Sequence, residues 1–72
     1  MDICAPFAGI VHHKVAAGEP VDAGAVVATV ETVKLEASVT AVSPGIVAEW
    51  LVDDCGDITG GDPIARFTPA AT

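Results

Sequence analysis

The chain reads as an all-β protein: a flattened β-barrel or sandwich of two four-stranded antiparallel sheets with pseudo-twofold symmetry. Three observations predict this. Apolar positions are filled mainly by Val, Ile and Ala, in short stretches punctuated by 7 glycines and 5 prolines. The two halves of the chain repeat one another. Where a periodicity is legible, it is the two-residue alternation of a strand.

The repeat carries the most information. Ala5-Pro6-Phe7-Ala8-Gly9-Ile10-Val11 returns as Ala41-Val42-Ser43-Pro44-Gly45-Ile46-Val47, 36 residues later. Gly24-Ala25-Val26-Val27-Ala28-Thr29-Val30 returns as Gly61-Asp62-Pro63-Ile64-Ala65-Arg66-Phe67, 37 residues later. Gly18-Glu19-Pro20-Val21 resembles Gly56-Asp57-Ile58 once small insertions are allowed. Two copies are too few for a solenoid, which takes roughly three or more stacked units, so the repeat implies a symmetric pair of sheets.

The first half is predicted to hold strands near 2–5, 9–14, 20–22 and 26–31, and the second near 35–40, 45–51, 57–59 and 63–68. Ala28, Val30, Ala37 and Val39 alternate with Thr29, Glu31, Glu36 and Ser38, which gives one inward and one outward face. Gly18, Gly24, Gly45, Gly56 and Gly60-Gly61 are placed at chain reversals. Trp50 is expected to cover one end of the core. No segment carries a helical pattern.

Seventy-two residues form one domain, 1–72, with no room for a second core. The start at Met1 and the short tail after the last strand read as a free-standing subunit. A formal charge of −7, ten acids against Lys14, Lys34 and Arg66, repels phosphate backbones and anionic lipid, so neither nucleic acid nor a membrane surface is an expected partner. Apolar runs are too short to span a bilayer, and no signal peptide pattern opens the chain. Cys4 and Cys55 are therefore read as reduced thiols of a cytoplasmic protein.

The join between the halves breaks local rules. Folding Val30–Ala37 about Val33-Lys34 sets Thr32 against Leu35, Glu31 against Glu36, Val30 against Ala37 and Ala28 against Val39. That register keeps inward residues opposite inward ones. Yet a two-residue turn favours Asn-Gly or Asp-Gly, and Val is among the poorest residues for positive φ. Glu31 opposite Glu36 is also mildly repulsive. Conflicts of this kind are expected at functional sites. An exposed turn lysine is ordinarily just solvated surface. Lys34, however, is the only cation between Lys14 and Arg66, stands at the midpoint of the repeat and is flanked by apolar residues.

On these features the chain resembles the biotinyl/lipoyl attachment domain family, over roughly residues 3–67. In that family the modified lysine lies at the tip of the hairpin joining two similar halves. Gly24, Gly45, Gly56, Gly61 and Glu31 stand where the family usually has the same residue types. The resemblance implies that Lys34 takes the prosthetic group, with Glu31, Thr32, Val33 and Leu35 as the surface read by the ligase and partners. Biotinyl members usually carry Ala-Met-Lys-Met or Ala-Met-Lys-Leu; lipoyl members carry Asp-Lys-Ala. Thr32-Val33-Lys34-Leu35 is closer to the biotinyl pattern, with Val33 departing from its Met; lipoate is the alternative, and an unmodified interaction module the third reading. The biotinyl reading implies a biotin protein ligase, a biotin carboxylase and a carboxyltransferase as partners, the last acting on an acyl-CoA. The domain itself would be a carrier, contributing no acid, base or nucleophile.

Other constellations are weaker. His12 and His13 are adjacent, so in a strand their side chains point to opposite faces, and with Cys4 and Cys55 distant in sequence no metal-ligand spacing emerges. Asp53, Asp54 and Asp57 lack the spacing of a calcium loop and read as a solvated acidic turn. Nothing in the sequence brings a Ser-His-Asp or Cys-His set together.

Overall fold

The computed structural model describes residues 1–70. Eight strands follow in order: β1 (Asp2–Cys4), β2 (Gly9–His13), β3 (Pro20–Val21), β4 (Val26–Glu31), β5 (Glu36–Thr40), β6 (Gly45–Trp50), β7 (Asp57–Ile58) and β8 (Pro63–Pro69). Every expected strand is present, each bound lying within one residue of its predicted place. All pairings are antiparallel, in two four-stranded sheets ordered β1-β8-β6-β3 and β5-β4-β2-β7.

The two orders are the same order. Advancing each strand by half the set takes β1 to β5, β8 to β4, β6 to β2 and β3 to β7. Backbone detail repeats as well. Ala28 pairs with Val39 and Val26 with Thr40, so Val27 is an extra residue; likewise Ala65 pairs with Ile3 and Pro63 with Cys4, leaving Ile64 extra. A bulge turns two successive side chains the same way. Val27 and Ala28 in one sheet, and Ile64 and Ala65 in the other, are accordingly all at 0% exposure. They meet Val11, Val30, Val47 and Phe67 in the core between the sheets. Burying a side chain of this size contributes about 1.5–3 kcal/mol.

The glycines divide by task. Gly24 and Gly61 hold φ of 84° and 85°, and their amides donate to the carbonyls of Ala41 and Ala5. Gly45, directly after the bend at 42–44, is the first residue of β6, as expected. A Cβ there would lie 2.3 Å from the Thr68 carbonyl oxygen, and one at Gly9 would lie 2.5 Å from that of Glu31. Both positions are glycine because a neighbouring strand passes where a side chain would stand.

Trp50 is half-buried against the core, stacked on His13 with ring centroids 3.8 Å apart. Its indole N–H donates to the Val15 carbonyl at 3.2 Å.

Candidate functional site

The hairpin between β4 and β5 has the register expected of it: Glu31 faces Glu36, Val30 faces Ala37 and Ala28 faces Val39. The Thr32 amide donates to the Leu35 carbonyl at 2.7 Å and closes a tight turn with Val33 and Lys34 at its corners. Neither corner adopts positive φ, since Cys55 is the only non-glycine residue to do so among the described residues. The turn is held instead by Thr32, whose hydroxyl oxygen accepts from the amides of Lys34 (3.3 Å) and Leu35 (3.0 Å). A Thr hydroxyl engaging amides two and three residues ahead is a local alternative to Asn-Gly chemistry. The conflict read at Val33 is thereby resolved by its neighbour, and Thr32 builds the turn rather than presenting a free side chain.

With the backbone secured by Thr32, the tip residues project freely. Val33 is fully exposed and Leu35 is 60% exposed, so two apolar side chains flank Lys34 in water. Lys34 is itself exposed, and its ammonium has no ion-pair or hydrogen-bond partner among the described residues. A shallow groove lined by Gly9, Ile10, Glu31, Thr32, Val33 and Ile58 runs beside the hairpin. The Glu31 carboxylate lies 3.6 Å from His12 Nε2 on the neighbouring strand β2.

An exposed amine at the tip of a hydrogen-bonded hairpin, without a partner among the described residues to compete for it, fits covalent acylation at Nζ by a second protein. The chain starts well away from it: Met1, Asp2 and Ile3 share a cavity with Val39 and Thr40, at the far end of β5.

A second cluster had no signature in the sequence. Cys55, remote from the histidines in the chain, places its Sγ 3.6 Å from His12 Nδ1. Asp54 joins them, and donor atoms of all three lie within 4.8 Å of one another. Asp54 is more than a solvated acid, because its Oδ1 accepts the His13 amide at 2.8 Å. That bond, and then the charge of the nearby histidines, hold its carboxyl below the usual aspartate value. His13 and Cys4 lie outside the cluster; His13 instead directs Nε2 to the Val52 carbonyl at 3.0 Å. Only the pairing of β2 with β7 brings residues 12 and 55 together, and no spacing rule reports it.

Comparison with known proteins bears on the family and the fold. No curated protein matches this chain. Among solved structures, a single-chain, multi-domain long-chain acyl-CoA carboxylase superposes with a TM-score of 0.89 and 25% identity, over 100% of this chain and 7% of that one. An aspartoacylase family protein from Mesorhizobium loti superposes with a TM-score of 0.81 at 18% identity, over 97% of this chain and 25% of that one, and shows the fold alone. This chain thus spans a small fraction of each protein it resembles. The family model for the biotin/lipoyl domain, described as that of a biotin-requiring enzyme, matches residues 1–67. With that match over nearly all its length, and the two repeated sheets joined at a lysine hairpin, the chain belongs to the biotin/lipoyl attachment family.

Proposed function

We propose that this protein is the biotin carboxyl carrier of a biotin-dependent acyl-CoA carboxylase, with Lys34 as the attachment site. The observation that carries the proposal is the free, exposed amine of Lys34 between exposed Val33 and Leu35 at the join of two equivalent halves. Apolar residues on both sides of the lysine favour biotin over lipoate. The likeness to a long-chain acyl-CoA carboxylase favours an acyl-CoA as the final acceptor. Bound biotin would supply the ureido nitrogen that takes up and gives away a carboxyl group.

The chain's own part is mechanical. Thr32 fixes the turn, Glu31 and Glu36 close the ladder below it, and the Lys34 stem extends from a body that does not need to deform. Tethering gives both partner active sites a high effective concentration of the carried group. Biotin protein ligase would read Glu31, Val33 and Leu35, and a biotin carboxylase and a carboxyltransferase would then engage the same tip. Two unpaired cysteines suit a cytoplasmic setting.

The test is intact-mass analysis with peptide mapping after parallel incubation with a biotin ligase and a lipoate ligase. One biotin adduct, confined to the peptide containing Lys34 and missing from Lys34→Arg, is the expected result. A lipoyl adduct moves the protein to the acyl-transfer complexes, and no adduct with active ligases makes it an unmodified interaction module. Val33→Met should raise the biotinylation rate; an unchanged or lower rate rejects Val33 as the residue weakening the match.

A further inference from the structure

We propose that His12, Asp54 and Cys55 form a three-ligand site for a zinc-type divalent metal on the outer face of the β5-β4-β2-β7 sheet. The geometry fits such an ion. A tetrahedral centre with metal–sulfur bonds of about 2.3 Å and metal–nitrogen bonds of about 2.0–2.1 Å separates the two donors by about 3.6 Å. Cys55 Sγ and His12 Nδ1 stand 3.6 Å apart, and the Asp54 carboxylate closes the triangle within 4.8 Å. One thiolate, one imidazole and one carboxylate select zinc or a neighbouring transition ion over magnesium or calcium, which take oxygen donors. Asp54 and Cys55 are exposed, so a fourth position faces solvent.

The surroundings orient the ligands. Glu31 stands 3.6 Å from His12 Nε2, which leaves Nδ1 as the nitrogen facing the thiol. A carboxylate on the far nitrogen of a ligating histidine fixes the ring and raises its basicity. Asp54 is anchored through Oδ1 to the His13 amide, which holds the carboxylate beside His12 and Cys55. The Cys55 amide donates to the Val11 carbonyl at 2.7 Å, which ties the ligand turn to the strand bearing His12.

The pseudo-symmetry supplies an internal control. The counterpart of the Cys55 bond is the Gly18 amide donating to the Val47 carbonyl at 2.8 Å, and Gly18 has φ of 84° where Cys55 has 65°. Gly18 is thus the structural twin of Cys55, not of Gly56 as the sequence repeat aligns them. Asp54 corresponds to Ala17. His12, paired with Thr29, corresponds to Glu49, paired with Arg66. One half builds this turn with glycine and alanine, so the backbone requires neither the thiol nor the carboxylate. The other half keeps a cysteine in a conformation L-residues avoid, aimed at a histidine. This inference is independent of the carrier reading.

The experiment titrates the intact chain with cobalt(II) and follows thiolate-to-cobalt charge-transfer absorption, then displaces the cobalt with zinc. We expect one cobalt per chain, an undiminished band in Cys4→Ser and no band in Cys55→Gly, a variant that copies the residue at Gly18 and whose fold is checked by circular dichroism. Asp54→Ala should weaken binding, and Glu31→Gln should raise the dissociation constant about 10–100-fold. A wild-type chain without the band, or a band that survives Cys55→Gly, overturns the proposal. A band lost in Cys4→Ser also overturns it, by placing the ligand thiol elsewhere.

Discussion

The two halves of this chain share a backbone but not a surface, and the difference separates what the fold requires from what it permits. Gly9 and Gly45, Val11 and Val47, Gly24 and Gly61, and the two bulges at Val27 and Ile64 recur because strand spacing and core packing admit few substitutes. Cys55 against Gly18, Asp62 against Ala25 and Glu31 against Thr68 differ at positions the core does not reach. Where the halves agree, the residue type follows from packing. Where they diverge, backbone demand does not explain the choice.

The largest effect should come from breaking an agreement. Gly45→Ala places a methyl 2.3 Å from the Thr68 carbonyl oxygen and 2.8 Å from the Phe67 ring, between strands that cannot part cheaply. It should lower stability by about 3 kcal/mol, measured by urea unfolding. Gly9→Ala, facing a 2.5 Å approach to Glu31, should follow closely. Gly24→Ala has nothing within 4 Å and meets only the penalty of φ 84°, about 1–2 kcal/mol. Equal losses at Gly45 and Gly24 would reject close approach as the reason for Gly45.

This division also explains what the sequence discloses. The strands and the hairpin register are legible because Val30, Ala37, Ala28 and Val39 alternate visibly with polar residues, and the repeat supplies each pattern twice. The Lys34 tip is legible through its isolation. Thr32 is not, because a hydroxyl that caps a turn looks like any exposed threonine until amide directions are known. The close approach that makes residue 45 a glycine is not legible, since glycine marks both positive φ and close approach, and sequence does not distinguish them. The contact of His12 with Cys55 is hidden by a separation of 43 residues that only the β2–β7 pairing closes. Aligning Gly18 with Gly56, an offset of 38, conceals Cys55 as well, because the extra residue Ala48, in the bulge between Val47 and Glu49, lengthens the repeat only from 36 to 37.

A smaller effect should come from erasing a divergence. Cys55→Gly gives the second half the residue its twin uses, at a position where φ is 65°. The left-handed conformation costs an L-residue about 1–2 kcal/mol, and the added chain entropy of glycine offsets about 0.5–1 kcal/mol of the relief. The metal-free variant should therefore be more stable by about 0.5–1 kcal/mol in urea unfolding. A destabilised variant would mean that the Cys55 side chain supports the turn itself, which would remove the contrast with Gly18.

The smallest effect is confined to acid. Asp62 accepts hydrogen bonds from the Thr59 hydroxyl and from its amide, at 3.0 Å for the latter, while the corresponding Ala25 in the first half offers no carboxylate. These bonds, the hydroxyl first, hold the Asp62 carboxyl below its usual value. A depressed folded-state value means that the stabilisation is present above the unfolded-state value, near about pH 4, and is lost as the pH falls through the folded-state value. Asp62→Asn retains an acceptor but not the charge, so it should melt slightly below the parent chain from about pH 7 down to about pH 5. The gap should then close below about pH 4, as the parent carboxyl protonates. A gap that stays constant into acid would assign the difference to geometry rather than charge, and the turn at Thr59–Asp62 would then owe nothing to the carboxylate that its twin at Asp22–Ala25 lacks.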